Sequence, residues 1–347
     1  MGLEVMDQAD RTAPGTSAQG LSLSLASWDH DRVMALHDGR VRVPGVALRG
    51  TVAPTSELFP RAVGDAPYDI TEMSISSYVL QVSRGVGAYV AIPAFVSRAF
   101  RHAGFFARAG SGIETPADFA ERRIGVPEYQ MTAALWMRGI LADEYGVAAR
   151  QVHWRTGALD AGVRRERLEL ELPEGMRVEP ISEGETLQDL LLAGEIDGLL
   201  APKPPNAFLA GDARFVRLFP DFEAAERAYH AKTGFFPIMH LIGVRKSLVD
   251  AHPWLPRALY DGFVEARDMA LQRLRSVWLG NANRLSLPWL GATMERTISA
   301  LGPDYWSYGY RANREELAAV CRYSVEQHLA ARAVQPEDLF HPSVLET

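Results

Sequence analysis

Hydrophobic and polar positions change period repeatedly along the chain. "LSLSLASWD" alternates apolar and polar residues from Leu21 to Ala26, the period of a half-buried strand. "DRVMALHDGR" then has helical spacing, and "VPGVALRGTV" predicts a turn and a second strand. "YDITEMSISSYVLQVSRG" predicts a short strand over 68–71, then a helix capped by Ser74 or Ser76 and ended by Gly85. "AYVAIPAFVS" is a continuous apolar run of strand length, predicted to be buried on both faces. Pro116 stands at a helix start, where its missing N–H costs nothing. A strand is predicted over 123–126 and a helix over 132–145, in which Ala133, Leu135, Trp136, Ile140 and Leu141 fall near helical spacing.

Residues 157–177, "GALDAGVRRERLELELPEGMR", are charged and predict an exposed excursion. "ETLQDLLLAGEIDGLLAP" reads as a helix, a glycine stop and a strand that runs into the rigid turn "PKPPN". "FFPIMHLIGVRKSLV" is another buried strand, with His240 near its middle. Helices dominate thereafter, over about 253–274, 294–301 and 313–331. Strands alternating with helices predict an α/β fold with parallel sheets. No repeat of fixed period is present. Each half carries its own strand–helix series, so two lobes with a ligand cleft between them are expected.

Length agrees with this division: at roughly 100–200 residues per domain, 347 residues make two domains. The net charge of −7 and the lack of any run of five basic residues argue against a nucleic-acid partner. A single cysteine, Cys321, excludes an internal disulfide framework and a cysteine-built metal cluster. The first 20 residues are small and polar, without the basic and apolar segments of a secretory signal, and are expected to form a disordered extension. No window of 18 apolar residues occurs, so no membrane span is predicted and a cytoplasmic location is expected.

Nucleotide and hydrolase signatures are missing: there is no G-x-x-x-x-G-K-[ST], no H-E-x-x-H and no G-x-S-x-G. The nine histidines form no i, i+4 pair of metal-ligand character, and neither a metal nor a cofactor is expected. Polar clusters do recur at the ends of predicted strands, where α/β folds place ligands. They are Trp28, Asp29, Asp31 and Arg32; Glu72, Ser74, Ser76, Ser77 and Tyr78; Ser97, Arg98, Arg101 and His102; Glu128, Tyr129, Gln130 and Thr132; Lys203; and His240. Each has a plainer role as well. The serines suit helix caps as much as an anion site; His240 suits a satisfied core position; Arg98, Arg101 and Lys203 suit solvent. Together they match a small anionic aromatic: guanidinium and ammonium for carboxylates, aromatic faces for a ring, hydroxyls for hydroxyls.

At "SWDHDR", "EMSISSYV", "AIPAFVSRAFRH", "GVPEYQMTAALWMRGIL", "GEIDGLLAPKPP" and "TGFFPIMH" the chain resembles the 4,5-dihydroxyphthalate decarboxylase family, and the likeness continues through "DYWSYGYRANR" and "PEDLF". The resemblance implies two Rossmann-like lobes of the type II periplasmic-binding-protein kind. Lobe one would be 21–108 with 241–347, and lobe two 109–240. It implies loss of one carboxylate from 4,5-dihydroxyphthalate to give protocatechuate and carbon dioxide, without an organic cofactor. Two departures, "APKPP" in place of an Arg-containing turn and "VAPTSELFPRAVGDAPYDI" in place of a more usual helix, leave a related aromatic acid open. A solute-binding protein or another synthase of the same fold is the alternative, and homo-oligomer formation stays open. In such a site Arg98 and Arg101 would clamp carboxylate, helped by Ser74 and Ser76. His240, or else His102, would deliver the proton. Glu72 or Glu128 would take a phenol proton or orient the histidine. Trp28 and Tyr129 would pack the ring, with Asp29, Arg32, Thr132 and Lys203 completing the wall.

Overall fold

The computed structural model describes residues 20–280, 282 and 284–347; the expected N-terminal extension, save Gly20, lies outside them. Eleven strands among the described residues form two sheets. The first contains β1 (Leu21–Ser27), β2 (Val46–Val52), β3 (Ile70–Ser74), β4 (Tyr89–Arg98) and β11 (Ile238–Arg245), in the order β2-β1-β3-β11-β4. β1 runs parallel to β2 and β3, whereas β11 is antiparallel to both of its neighbours. The second contains β5 (Phe105–Arg108), β6 (Arg123–Val126), β7 (His153–Thr156), β8 (Val178–Pro180), β9 (Gly198–Leu200) and β10 (Phe215–Arg217), in the order β10-β5-β9-β6-β7-β8.

The chain changes sheets earlier than the sequence implied. β5 already pairs with β9 and β10, so the outward crossing falls within 99–104 and not after Arg108. The return falls between Arg217 and Ile238, and His240 belongs to the first sheet. These crossings lie side by side, because the Ala99 N–H donates to the Pro237 carbonyl at 3.0 Å.

Four helices frame the space between the sheets: α1 (Asp31–His37), α2 (Thr55–Val63), α3 (Ile75–Ser83) and α4 (Thr132–Tyr145). The hydrophobic pattern gave no helix at α2, where Pro54 and Pro60 mask its periodicity. α4 is buried on nearly every side, and its Trp136 donates from Nε1 to the Ile238 carbonyl of β11 at 2.9 Å. A 24-residue helix, Leu255–Trp278, packs on α1, and helix Arg314–Glu326 packs on α3 and α4. Cys321 is buried there, as expected. None of the described helices is long and apolar enough to cross a membrane.

The excursion at 157–177 is not a solvated loop. Leu168, Leu170 and Leu172 are half-buried while Glu169 and Glu171 face out, and Leu170 and Leu172 pack on the main core. "RLELEL" thus carries a two-residue alternation that its charge conceals.

Close packing fixes the outward crossing. A Cβ on Gly104 would sit 2.3 Å from the carbonyl oxygen of Ala201. His102, the second choice for a proton donor, is buried among Phe105, Phe219 and Tyr229, with ring centroids 5.1 Å from Phe219 and 5.3 Å from Tyr229. It is a packing residue. Burial pushes its pKa from 6.5 down to about 4, against a small opposing pull from Glu144.

Two outcomes follow for stability. Gly104→Ala should cost about 1–3 kcal/mol, read as a lower urea midpoint. Because the folded pKa of His102 lies below the unfolded one, the unfolded chain takes up the extra proton; the stability His102 confers is complete above 6.5 and lost as pH falls toward about 4. In His102→Phe, urea midpoints should fall less steeply across that interval than in the wild type.

Candidate functional site

The β3–β11 register sets His240 opposite Ser74 and Ile242 opposite Glu72. Glu72 and His240 are therefore diagonal neighbours on one face, within reach of each other. Register shifts against β4 flank His240 on both sides, the kind of irregularity that re-aims a strand residue. His240 Nδ1 lies 2.6 Å from Glu72 Oε1. The same oxygen receives His30 Nε2 at 3.0 Å, and Oε2 accepts the Trp28 N–H at 2.8 Å. Burial alone would raise the Glu72 pKa, but the bonds from His240 and His30 outweigh it and hold this carboxyl well below the ordinary range. Burial also lowers His240; Glu72 pulls the other way, and the nearby charges of His30 and Arg101 add to the lowering. His240 Nε2 makes no hydrogen bond among the described residues, and the side chain keeps 16% of its surface exposed.

His30, Glu72 and His240 are the group of described residues whose donor atoms converge closely enough to hold a metal ion, all within 4.8 Å of one another. Their surroundings fit a hydrogen-bond relay better. Arg32 Nη2 lies 3.0 Å from His30 Nδ1 and can only donate. A metal on Nε2 would leave the imidazole proton on Nδ1, facing that donor, whereas metal-bound histidines direct this proton to an acceptor.

Arg101 lies next to this relay. Its Nε–H points to Met239 Sδ at 3.1 Å, and its terminal nitrogens have no partner among the described residues. Burial pushes its pKa down to about 10, only partly opposed by Glu226. Glu226 acts on it without forming a close ion pair; burying such a cation is costly, and a ligand carboxylate in contact with it would relieve the cost. Phe59 closes the other side of His240, edge-on with centroids 4.7 Å apart.

The starts of α3 and α4 meet between the lobes. Ser74 holds the N-cap position of α3 without capping it; its Oγ bonds Thr132 Oγ1 at 2.8 Å instead. Thr132 Oγ1 also accepts the Ser76 N–H at 3.3 Å, and Ser77 Oγ donates to Gln130 Oε1 at 3.3 Å. Ser76 Oγ is buried without a partner among the described residues. The excursion reaches into this seam. Glu128 pairs with Arg164 and, at 2.9 Å, with Arg167. Arg167 donates to Ser77 Oγ at 3.1 Å and lies 5.2 Å from the Phe59 ring centroid. Glu166 accepts the backbone N–H of Tyr129 and that of Gln130, the latter at 3.1 Å.

Several expected site residues lie elsewhere. Arg98 does not clamp a ligand: its guanidinium is spent on Glu316, Asn313 and the Phe236 and Ser307 carbonyls. Tyr129 is fully buried, stacked under Arg138 with its hydroxyl on the Gln327 carbonyl, and packs no ring in the cleft. Tyr78 donates to the Leu339 carbonyl. Lys203 is exposed and pairs with Asp160 at 2.5 Å, beside a pocket of about 370 Å³ that Arg164 and Met131 also line. Trp28 and Asp29 are exposed, and Trp28 touches His30 edge-on. Arg32 serves His30 and stacks on Trp306 at 3.9 Å, not on a ligand. Glu72, His240, Arg101, Ser74, Ser76, Glu128 and Thr132 do come together between the sheets. The sequence reading missed His30, Phe59, Arg164 and Arg167. His30 stood inside the quoted "SWDHDR", hidden by its acidic neighbours, and the two arginines sat in a segment dismissed for its charge.

Among solved structures, the fold matches the periplasmic aliphatic sulphonate binding protein SsuA of Escherichia coli, with TM-score 0.50 and 12% identity over 94% of this chain and 99% of that one. The periplasmic sulfonate-binding protein SsuA of Methylobacillus flagellatus aligns with TM-score 0.51 and 10% identity, over 94% and 92%. At such identities the likeness describes architecture alone: two lobes of the periplasmic-binding-protein kind. No family model matches the sequence. Curated relatives are much nearer. A 4,5-dihydroxyphthalate decarboxylase of Pseudomonas putida is 40% identical over 205 residues, 59% of this chain and 80% of that protein. A 4,5-dihydroxyphthalate decarboxylase of Comamonas testosteroni is 40% identical over 330 residues, 94% of this chain and 98% of that protein. With this identity sustained along nearly both whole chains, the protein belongs to the 4,5-dihydroxyphthalate decarboxylase family.

Proposed function

We propose that the chain removes one carboxylate from a hydroxylated aromatic dicarboxylate, first among them 4,5-dihydroxyphthalate, releasing carbon dioxide and protocatechuate. One observation carries this reading: His240, oriented through Nδ1 by a buried carboxylate, keeps Nε2 free beside an arginine that makes no close ion pair among the described residues. The named activity of the curated relatives supplies the substrate.

Loss of carbon dioxide from an aromatic ring needs a proton on the carbon that bears the leaving carboxylate. A hydroxyl para to that carbon pushes electron density toward it. Protonation interrupts the aromatic sextet, the C–C bond to the carboxylate breaks, and its electron pair restores the ring. Arg101 anchors the retained carboxylate as an ion pair. His240, once protonated, gives its Nε2 proton to the ring carbon, and Glu72 stabilises the imidazolium before transfer. The proton consumed in each turnover returns to His240 from water. In the seam Arg164 and Arg167 face Glu128 and Glu166, two cations against two carboxyl groups, so the preference for a dianion over a neutral aromatic rests on Arg101. The excursion covers that seam and limits water around the transition state. No step is assigned to a bound cofactor.

The purified chain, given 4,5-dihydroxyphthalate, should release carbon dioxide and protocatechuate in equal amounts. Binding without release would make it a binder. His240→Asn should lower kcat by about 100-fold or more while the circular dichroism spectrum stays native. Arg101→Gln should raise KM by about 10–100-fold, in line with a lost ion pair of roughly 1.5–3 kcal/mol. A proton donor works only when charged, so kcat/KM should decline as pH rises through the His240 pKa, which burial holds below 6.5 in the free protein. A rate unchanged in His240→Asn would remove the histidine from the mechanism.

A further inference from the structure

We propose that Arg32 is a positioning residue that locks His30 as a neutral imidazole with its proton on Nε2, and so reserves the charge-changing role in the relay for His240. The kinetic part rests on the reading that His240 delivers the proton; the tautomer part does not.

Arg32 is held from every side. Its Nε–H donates to the Val96 carbonyl at 2.6 Å, Nη1 pairs with Asp31 at 2.9 Å, and the guanidinium lies 3.9 Å from the Trp306 ring centroid. These contacts leave Nη2 aimed at His30 Nδ1, 3.0 Å away. A guanidinium has only donors and does not deprotonate in this range, so the nitrogen it faces must present a lone pair. An imidazolium has none. His30 therefore stays neutral, and its single N–H lies on Nε2, directed at Glu72 Oε1 at 3.0 Å.

The rest of the relay follows from counting protons. Glu72 Oε1 already accepts from His30, Oε2 accepts the Trp28 N–H, and against the burial these bonds keep the carboxylate charged. His240 Nδ1, 2.6 Å from Oε1, must then carry hydrogen, which makes Nε2 the atom that gains and loses the proton. The charged and titratable groups facing the pair are few. His30 faces Glu72 and Arg32, whose own charge is paired with Asp31; His240 faces Glu72, His30 and Arg101, with the apolar Phe59 ring on its remaining side. Without Arg32, the donor that faces His30 Nδ1 is gone, and that nitrogen is open to a proton beside the Glu72 anion. A charged His30 would share that anion and repel a proton from His240.

Histidine nitrogen NMR on the full ligand-free chain reads the tautomer directly. In the wild type, His30 should show a protonated Nε2 and a bare Nδ1, and it should stay neutral to lower pH than in Arg32→Met. In Arg32→Met the alkaline decline of kcat/KM should move to lower pH by about one unit, and Arg32→Lys, which keeps one donor, should restore part of the shift. A proton on Nδ1 of wild-type His30 overturns the proposal, even if neither variant folds. So does an Arg32→Met protein whose His30 titration and pH profile match the wild type. A wild type that shows the expected tautomer but never releases carbon dioxide overturns the decarboxylase reading and leaves the lock standing.

Discussion

A carboxylate with no exposure to water, Glu72, sets the terms for the rest of this molecule. Removing such a group from solvent costs several kcal/mol unless its lone pairs are met. Three elements are committed to meeting them. The end of β1 supplies the Trp28 N–H, the start of α1 supplies His30, and β11 crosses back from the second lobe to supply His240. The last is telling. An antiparallel strand inserted between β3 and β4 puts a residue that has just left the interlobe crossing beside one from the first lobe's own parallel strands. The sheet order thus ties the Glu72–His240 pair to the interlobe crossing.

Across the seam a second buried carboxylate, Glu128, is met by arginines from the excursion instead of by the sheet. Glu72 is held by backbone and ladder neighbours and Glu128 by arginines of its own lobe, while the Ser74–Thr132 bond joins the two lobes. The polar string at the strand-to-helix junction after β6 thereby gains a physical reason. Its backbone N–H groups and side chains are bonding partners for another segment; a plain glycine turn would keep the N–H groups that meet Glu166 but leave Arg167 without the Glu128 carboxylate.

Much of the architecture was readable from the periodicity. The strands at Leu21 and Arg123, the apolar run into β4 and the helix at Thr132 all show in it, because burial on one face or both imposes a period. The excursion failed for a definable reason: charge was taken for exposure, although leucines alternate with the glutamates. At the site, Glu72, His240 and Arg101 could be picked out as polar residues at strand ends. Arg98 and His102 have the same signature yet serve packing, since a sequence does not say whether Glu316 or Phe219 will fold against them. His30 needed the β1–β3 pairing, which brings it beside Glu72 from 42 positions away.

The excursion leaves the second sheet between β7 and β8 and returns to it at an outer strand, while the relay belongs wholly to the first lobe. The Glu72 unit and the 157–177 segment are consequently built from separate parts of the chain. A descendant gene could lengthen, shorten or recompose that segment and inherit the histidine–glutamate unit intact.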